Sequence, residues 1–96
     1  MSTALARDEI EQALADLPGW AYREEALERT LKFADFSAAL GFLVRVGIEA
    51  ERLNHHPEIH NVYATVTLRL NTHEAGGRVT RRDVDLARAI GRLVGN

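Results

Sequence analysis

The sequence predicts an α+β fold of order αββαββα: a four-stranded antiparallel sheet with three helices packed on one face. Three observations carry that prediction. The stretches 27–33 and 65–71 alternate apolar and polar residues with the two-residue period of a half-buried strand. The apolar residues of 36–53 recur instead at helical spacing. Hairpin-like regions separated by a helix favour one antiparallel sheet covered on a single face.

Taken in order, Leu5, Ile10, Ala13, Leu14 and Leu17 lie among polar residues near helical spacing, predicting a first helix over about 6–16. Pro18-Gly19 ends it, because proline cannot continue the hydrogen-bond ladder and glycine accepts unusual dihedrals. Trp20-Ala21-Tyr22-Arg23 reads as a short strand and Glu24-Glu25 as a hairpin connection. The next strand sets Leu27, Leu31 and Phe33 on one face. In the long helix of about 36–53, the stripe is Phe36, Ala39, Leu40, Leu43, Val46, Ala50 and Leu53, with Asp35 or Ser37 as N-cap. Phe42, Val44 and Ile48 widen its apolar surface, which predicts that part of this helix faces another subunit. His55-His56-Pro57 closes the helix, since Pro57 disfavours helical geometry at His56 and removes a donor. Ile59 to Tyr63 is the third strand, and Val66, Leu68 and Leu70 point to the core from the fourth. If that alternation runs on, His73 shares the outward face of Thr67, Arg69 and Asn71. Glu74-Ala75-Gly76-Gly77 is a loop. Thr80-Arg81-Arg82-Asp83 has the form of a capping box, and Leu86, Ala87, Ile90, Leu93 and Val94 stripe the last helix.

The 96 residues suit one domain, 1–96. A net charge of −2 argues against a nucleic-acid binder or a protein held to membranes by charge. Cysteine is absent, which removes disulfide scaffolds, thiolate zinc sites and cysteine nucleophiles. No apolar run approaches the about 18 residues of a membrane helix. The first residues turn acidic at once, without a signal-peptide core. A cytoplasmic enzyme or binding module is the expectation.

Of the four histidines, three fall at element ends: His55 and His56 after the long helix, His73 after the fourth strand. A lone histidine at a helix C-terminus ordinarily serves the last carbonyls. An adjacent pair locked by proline is less ordinary, and an unperturbed imidazole, with a pKa of about 6.5, exchanges protons near neutrality. His56 and His60 have the i, i+4 spacing of two metal ligands on a helix. Pro57 makes that segment extended, and a third ligand would have to come from His55, His73 or a carboxylate, so no metal is assigned. Ser2 and Ser37 lie in no nucleophile elbow, and Gly76-Gly77 lacks the lysine of a phosphate loop. Asp83 is explained without chemistry by its capping position.

Glu51-Arg52-Leu53-Asn54-His55-His56-Pro57-Glu58, Asn61-Val62-Tyr63, Leu70-Asn71-Thr72-His73-Glu74 and Arg82-Asp83 together resemble the pterin-4a-carbinolamine dehydratase family. Leu17-Pro18-Gly19-Trp20 and Phe33-Ala34-Asp35-Phe36 extend the resemblance over nearly the whole chain. It implies the αββαββα fold and a homodimer or homotetramer. The implied activity is that of a hydro-lyase taking water from 4a-hydroxytetrahydrobiopterin to give quinonoid dihydropterin, in tetrahydrobiopterin recycling beside an aromatic amino-acid hydroxylase. No cofactor and no metal are implied. Residue by residue, His55, His56, His73 and Asp83 match the family's catalytic positions. His55, His56, Pro57, Thr72, His73, Glu74 and Ala75 match its substrate-contacting segments. Two features depart from it: Ile59-His60 stands where many members carry an aromatic, and the loop from His73 to Asp83 is one residue longer than in animal members.

Dehydration must protonate the departing hydroxyl and take the N5 proton. His55 and His73 are the implied acid/base pair, unassigned between the two roles. His56 orients the hydroxyl-bearing carbon, and Asp83 fixes a histidine tautomer. The alternative is a non-catalytic interaction or dimerisation module on the same fold, as animal members of the family also partner a homeodomain transcription factor.

Overall fold

A computed structural model describes residues 3–95; Met1, Ser2 and Asn96 of the expected 1–96 unit lie outside the described residues. The order is α1 (Arg7–Leu14), β1 (Ala21–Arg23), β2 (Ala26–Lys32), α2 (Phe36–Leu53), β3 (Glu58–Val62), β4 (Thr65–Leu70) and α3 (Arg81–Leu93). The four strands pair antiparallel in the order β1-β2-β4-β3, so the long central strands β2 and β4 carry the short edge strands.

Register explains which side chains meet. Leu27 opposes Leu70, Arg29 opposes Leu68 and Leu31 opposes Val66 on the helix-covered face. Ile10 and Ala13 of α1, Ala39, Phe42, Val46 and Ala50 of α2, and Val84, Ala87 and Ile90 of α3 close over that face in one apolar cluster. The other face carries Glu28 against Arg69, Thr30 against Thr67 and Lys32 against Thr65. The Thr30 and Thr67 hydroxyls lie 3.1 Å apart there. A sheet wet on one side and dry on the other needs this strict alternation, because a one-residue slip would exchange the two faces.

Three expectations change in detail. α1 stops at Leu14, two residues short, because the Asp16 and Leu17 amides bond back to Ala13 and Leu14 in tight i→i−3 turns ahead of Pro18. On α2, Phe42 belongs to the core, 1% exposed and 4.9 Å from Phe33 ring to ring, whereas Phe36 and Leu40 are half exposed. The outward apolar stripe is therefore Phe36, Leu40, Val44 and Ile48, four residues apart along one side of the helix. β4 ends at Leu70, yet the alternation of burial runs on through buried Thr72 to exposed His73, and the expected loop begins there as a 3-10 turn over His73–Ala75. Asp35 is the N-cap of α2, its Oδ1 accepting the Ala38 N–H at 2.8 Å. Among the described residues, no helix is long and apolar enough to cross a membrane.

Leu68, on a central strand and 0% exposed, should be costly to truncate. Leu68→Ala is expected to lower the unfolding free energy by about 3 kcal/mol, through lost burial and the cavity left behind. Thr67→Ala next to it, on the wet face, should stay within about 0.5 kcal/mol. Urea titration of both variants checks this; equal losses would contradict the assignment of faces.

Candidate active site

Three segments converge at one rim of the sheet. The first is the end of α2. Asn54 takes the left-handed conformation (φ 51°, ψ 45°) that asparagine tolerates better than most side chains. The His55 N–H then reaches the Ala50 carbonyl at 3.0 Å, and the Asn54 N–H that of Glu51 at 3.1 Å, the paired bonds of a Schellman ending. This reversal turns His55 inward, 7% exposed, and leaves His56 in solvent. His56 Nε2 meets Glu51 Oε1 at 2.8 Å.

The second segment leaves β4. The Thr72 N–H donates to the Arg78 carbonyl at 2.8 Å and the Gly77 N–H to the Thr72 carbonyl at 3.0 Å, with the 3-10 turn between them. Gly76 and Gly77 both have positive φ, 73° and 77°. Side chains disfavour that region, so this glycine pair is what lets the chain double back within so few residues. The fold-back delivers the third segment, the start of α3, against Thr72.

Asp83 joins all three. Its Oδ2 accepts the Thr80 N–H at 2.8 Å, completing the capping box, and also the Thr72 hydroxyl at 2.8 Å. The Thr72 and Thr80 oxygens are 2.7 Å apart, and with the Thr72 proton committed to Asp83 the Thr80 hydroxyl is the donor. Asp83 Oδ1 meets His55 Nε2 at 2.5 Å. Thr72, Thr80 and Asp83 are all 0% exposed. A carboxylate only accepts, so His55 carries its hydrogen on Nε2. The other ring nitrogen, Nδ1, makes no hydrogen bond among the described residues and is not sealed from solvent. His55 is also one of the residues lining a cavity at this rim.

That cavity measures about 460 Å³ and is lined by Asn54, His55, His56, Pro57, Glu58, Asn71, His73, Glu74 and Arg82. The structure thus brings together His55, His56, Pro57, His73 and Glu74. Thr72 and Asp83 stand behind His55, and Ala75 lies off the lining with its N–H on the Thr72 carbonyl at 3.0 Å. His60, opposite Thr67 in the sheet, is not among the residues lining the cavity. Among the described residues, no three His, Asp or Glu side chains are grouped to hold a metal ion. The Glu74 carboxyl is held below its ordinary value by its own backbone amide, and further by the Arg82 guanidinium and the His73 and His55 imidazoles. A smaller hollow of about 180 Å³ beside Trp20, Arg29 and Arg88 contains none of the histidines.

Sequence reasoning missed Arg82 as a lining residue and Thr72 as a partner of Asp83. Arg82 carried a faint signal, standing beside Asp83 on the first turn of a capped helix. Nothing in the sequence pairs Thr72 with Asp83 before the fold-back at Gly76-Gly77 is known.

With this geometry in view, the likenesses of the chain to known proteins acquire a meaning. The profile of the family described as "Pterin 4 alpha carbinolamine dehydratase" matches residues 3–93. A protein of Opitutus terrae named "Putative pterin-4-alpha-carbinolamine dehydratase" is 54% identical over 88 residues, covering 92% of this chain and 91% of its own. One of the same name from Rhodopseudomonas palustris is 51% identical over 92 residues, covering 94% and 90%. The crystal structure of a "transcriptional coactivator/pterin dehydratase" from Brucella melitensis superposes with a TM-score of 0.90 at 39% identity, covering 96% of this chain and 99% of that one.

Asp83→Asn keeps the shape but turns an NH2 toward donors. It is expected to destabilise the fold by about 1–3 kcal/mol in urea titration, the usual result of leaving buried donors unmet. In the wild-type protein, long-range proton–nitrogen NMR should find neutral His55 with its hydrogen on Nε2. A hydrogen on Nδ1 instead would contradict the tautomer argument.

Proposed function

The chain belongs to the pterin 4 alpha carbinolamine dehydratase family, and from that membership we propose that it is a hydro-lyase converting 4a-hydroxytetrahydrobiopterin to quinonoid dihydropterin and water. The observation that carries the reading is His55: buried, held through Nε2 by Asp83, and lining a cavity that His56 and His73 also line, which leaves Nδ1 as the ring nitrogen able to serve a substrate there. A volume of about 460 Å³ falls in the range of small-molecule sites.

In this reading the C4a–O bond breaks while the N5–H electrons form the C4a–N5 double bond. The hydroxyl leaves as water after receiving one proton, and N5 gives up one, so the protein gains and loses a proton per turnover. The Nδ1 lone pair of His55 suits the base at N5, because Asp83 supports the positive charge that the ring acquires. His73, exposed and beyond hydrogen bonds to other side chains among the described residues, supplies the acid at the hydroxyl. His56, steadied by Glu51, orients the hydroxyl-bearing carbon. Thr72 and Asp83 position His55, and Pro57, Glu74 and Ala75 shape the walls. Neither cofactor nor metal takes part. The supply of a 4a-hydroxypterin ties such an enzyme to an aromatic amino-acid hydroxylase in the cytoplasm.

A second reading is favoured by one observation. Val44 and Ile48 on α2 are 63% and 61% exposed, with Leu40 beside them at 44%. An apolar stripe of that length on a small chain marks an association surface. We assign it to a homodimer or homotetramer, compatible with catalysis; a foreign partner on the same face is the interaction-module alternative.

Purified protein should accelerate the appearance of quinonoid dihydropterin. His55→Ala and His73→Ala are each expected to lose about 100-fold or more in kcat/KM, and His56→Ala about tenfold. Losses below about tenfold for both His55 and His73, or ~1.4 kcal/mol, would refute the acid–base assignment. Light scattering should give a small whole multiple of the 10.7 kDa chain mass, and Val44→Glu should shift it toward one chain with activity assayed in parallel. A wild-type protein that is monomeric rejects the homo-oligomer.

A further inference from the structure

We propose that Arg82 is a positioning residue whose guanidinium ties the two histidine-bearing walls of the cavity to each other. One arm, Nη2, donates to the Asn54 carbonyl, immediately before His55-His56. The other, Nη1, lies 3.6 Å from Glu74 Oε1, immediately after His73. Among the described residues, no hydrogen bond runs directly between 54–57 and 73–75. The Asp83 network joins these walls from beneath the cavity, and Arg82, which lines it, spans them on the open side.

The chemistry of each contact suits an arginine. The Asn54 carbonyl sits at the C-terminal end of α2, where unpaired carbonyls concentrate negative partial charge. The guanidinium is a rigid planar fork, able to address two acceptors in a fixed relation, which the point charge of a lysine cannot do. The Arg82 backbone is itself fixed, its N–H donating to Thr80 Oγ1 at 3.2 Å. The bridge therefore hangs from the same capped turn that holds Asp83. The exposed Glu74 contact alone contributes little stability; its consequence is the width of the gap into which a flat ring must fit.

The kinetic part of this inference rests on the dehydratase reading, and its structural part does not. Arg82→Met and Arg82→Lys are compared with wild type in two measurements. By amide hydrogen exchange, Arg82→Met should speed opening at His55–His56 and at His73–Ala75 together by about tenfold, without loss of protection in the β4 core. The thermal midpoint should move by less than about 3 °C. In the dehydration assay both variants should lose about tenfold or more in kcat/KM, chiefly through KM, as slack walls misplace the ring. Lysine, keeping the charge but not the fork, should recover less than about threefold of that loss. Unchanged exchange in both segments overturns the bridge. Full recovery of KM by lysine overturns its two-armed character and leaves only a charge. A wild-type protein without dehydratase activity refutes the functional reading instead, and the exchange result then decides the bridge alone.

Discussion

A carboxylate removed entirely from water must have its oxygens met by donors, or the fold loses several kcal/mol at that point. Asp83 is such a group, and its donors come from three separate places: the imidazole at the end of α2, the threonine hydroxyl beyond β4 and the amide that opens α3. The capping role and the histidine-positioning role are thus one arrangement. Oδ2 serves the helix and the β4 exit while Oδ1 serves His55. The two readings of Asp83 that compete at the level of sequence are both satisfied because a carboxylate has two oxygens and several lone pairs.

What the sequence makes legible follows from period and from local chemistry. Thr65 to Leu70 alternates cleanly because one face is dry, and the capping box at Thr80–Asp83 is readable because both partners lie within one turn. The contact of Thr72 with Asp83 depends on closure of the loop through two positive-φ glycines, and the register of β2 on β4 joins strands separated by α2 and β3; neither leaves a periodic trace. Phe42 and Leu40 show a subtler limit. Both suit an apolar stripe at helical spacing, and the choice between them turns on a modest rotation of α2 that only the packed partners, Phe33 among them, decide. For the site, the histidines were visible as element ends. Arg82 was not, because its meaning lies in two acceptors distant in sequence.

α2 carries three obligations on its different sides. Ala39, Phe42, Val46 and Ala50 face the core, Leu40, Val44 and Ile48 face outward, and the C-terminal turn presents His55. A helix is stiff over its 18 residues, so whatever settles on the outward side also restrains the turn that aims the imidazole. In the proposed enzyme, association on that side would accordingly limit fraying of the last helical turn.

The unequal exposure of the histidines fits the proposed proton bookkeeping. A base must stand in one place with one tautomer, and burial beside Asp83 gives His55 both. An acid that donates on every turnover has to be refilled, which demands contact with water, and His73 is exposed. If both rings were buried, the site would finish each cycle with a proton on one and a vacancy on the other and no route between them. If both were exposed, neither would hold a tautomer against solvent. One fixed imidazole and one wet imidazole across a shared cavity would let the proposed net-neutral dehydration reset itself once product leaves, the N5 proton passing from His55 through the opened cavity to water while His73 takes one up, and the arrangement arises here from a left-handed Asn54 turning one histidine inward while the strand exit at Leu70 leaves the other in water.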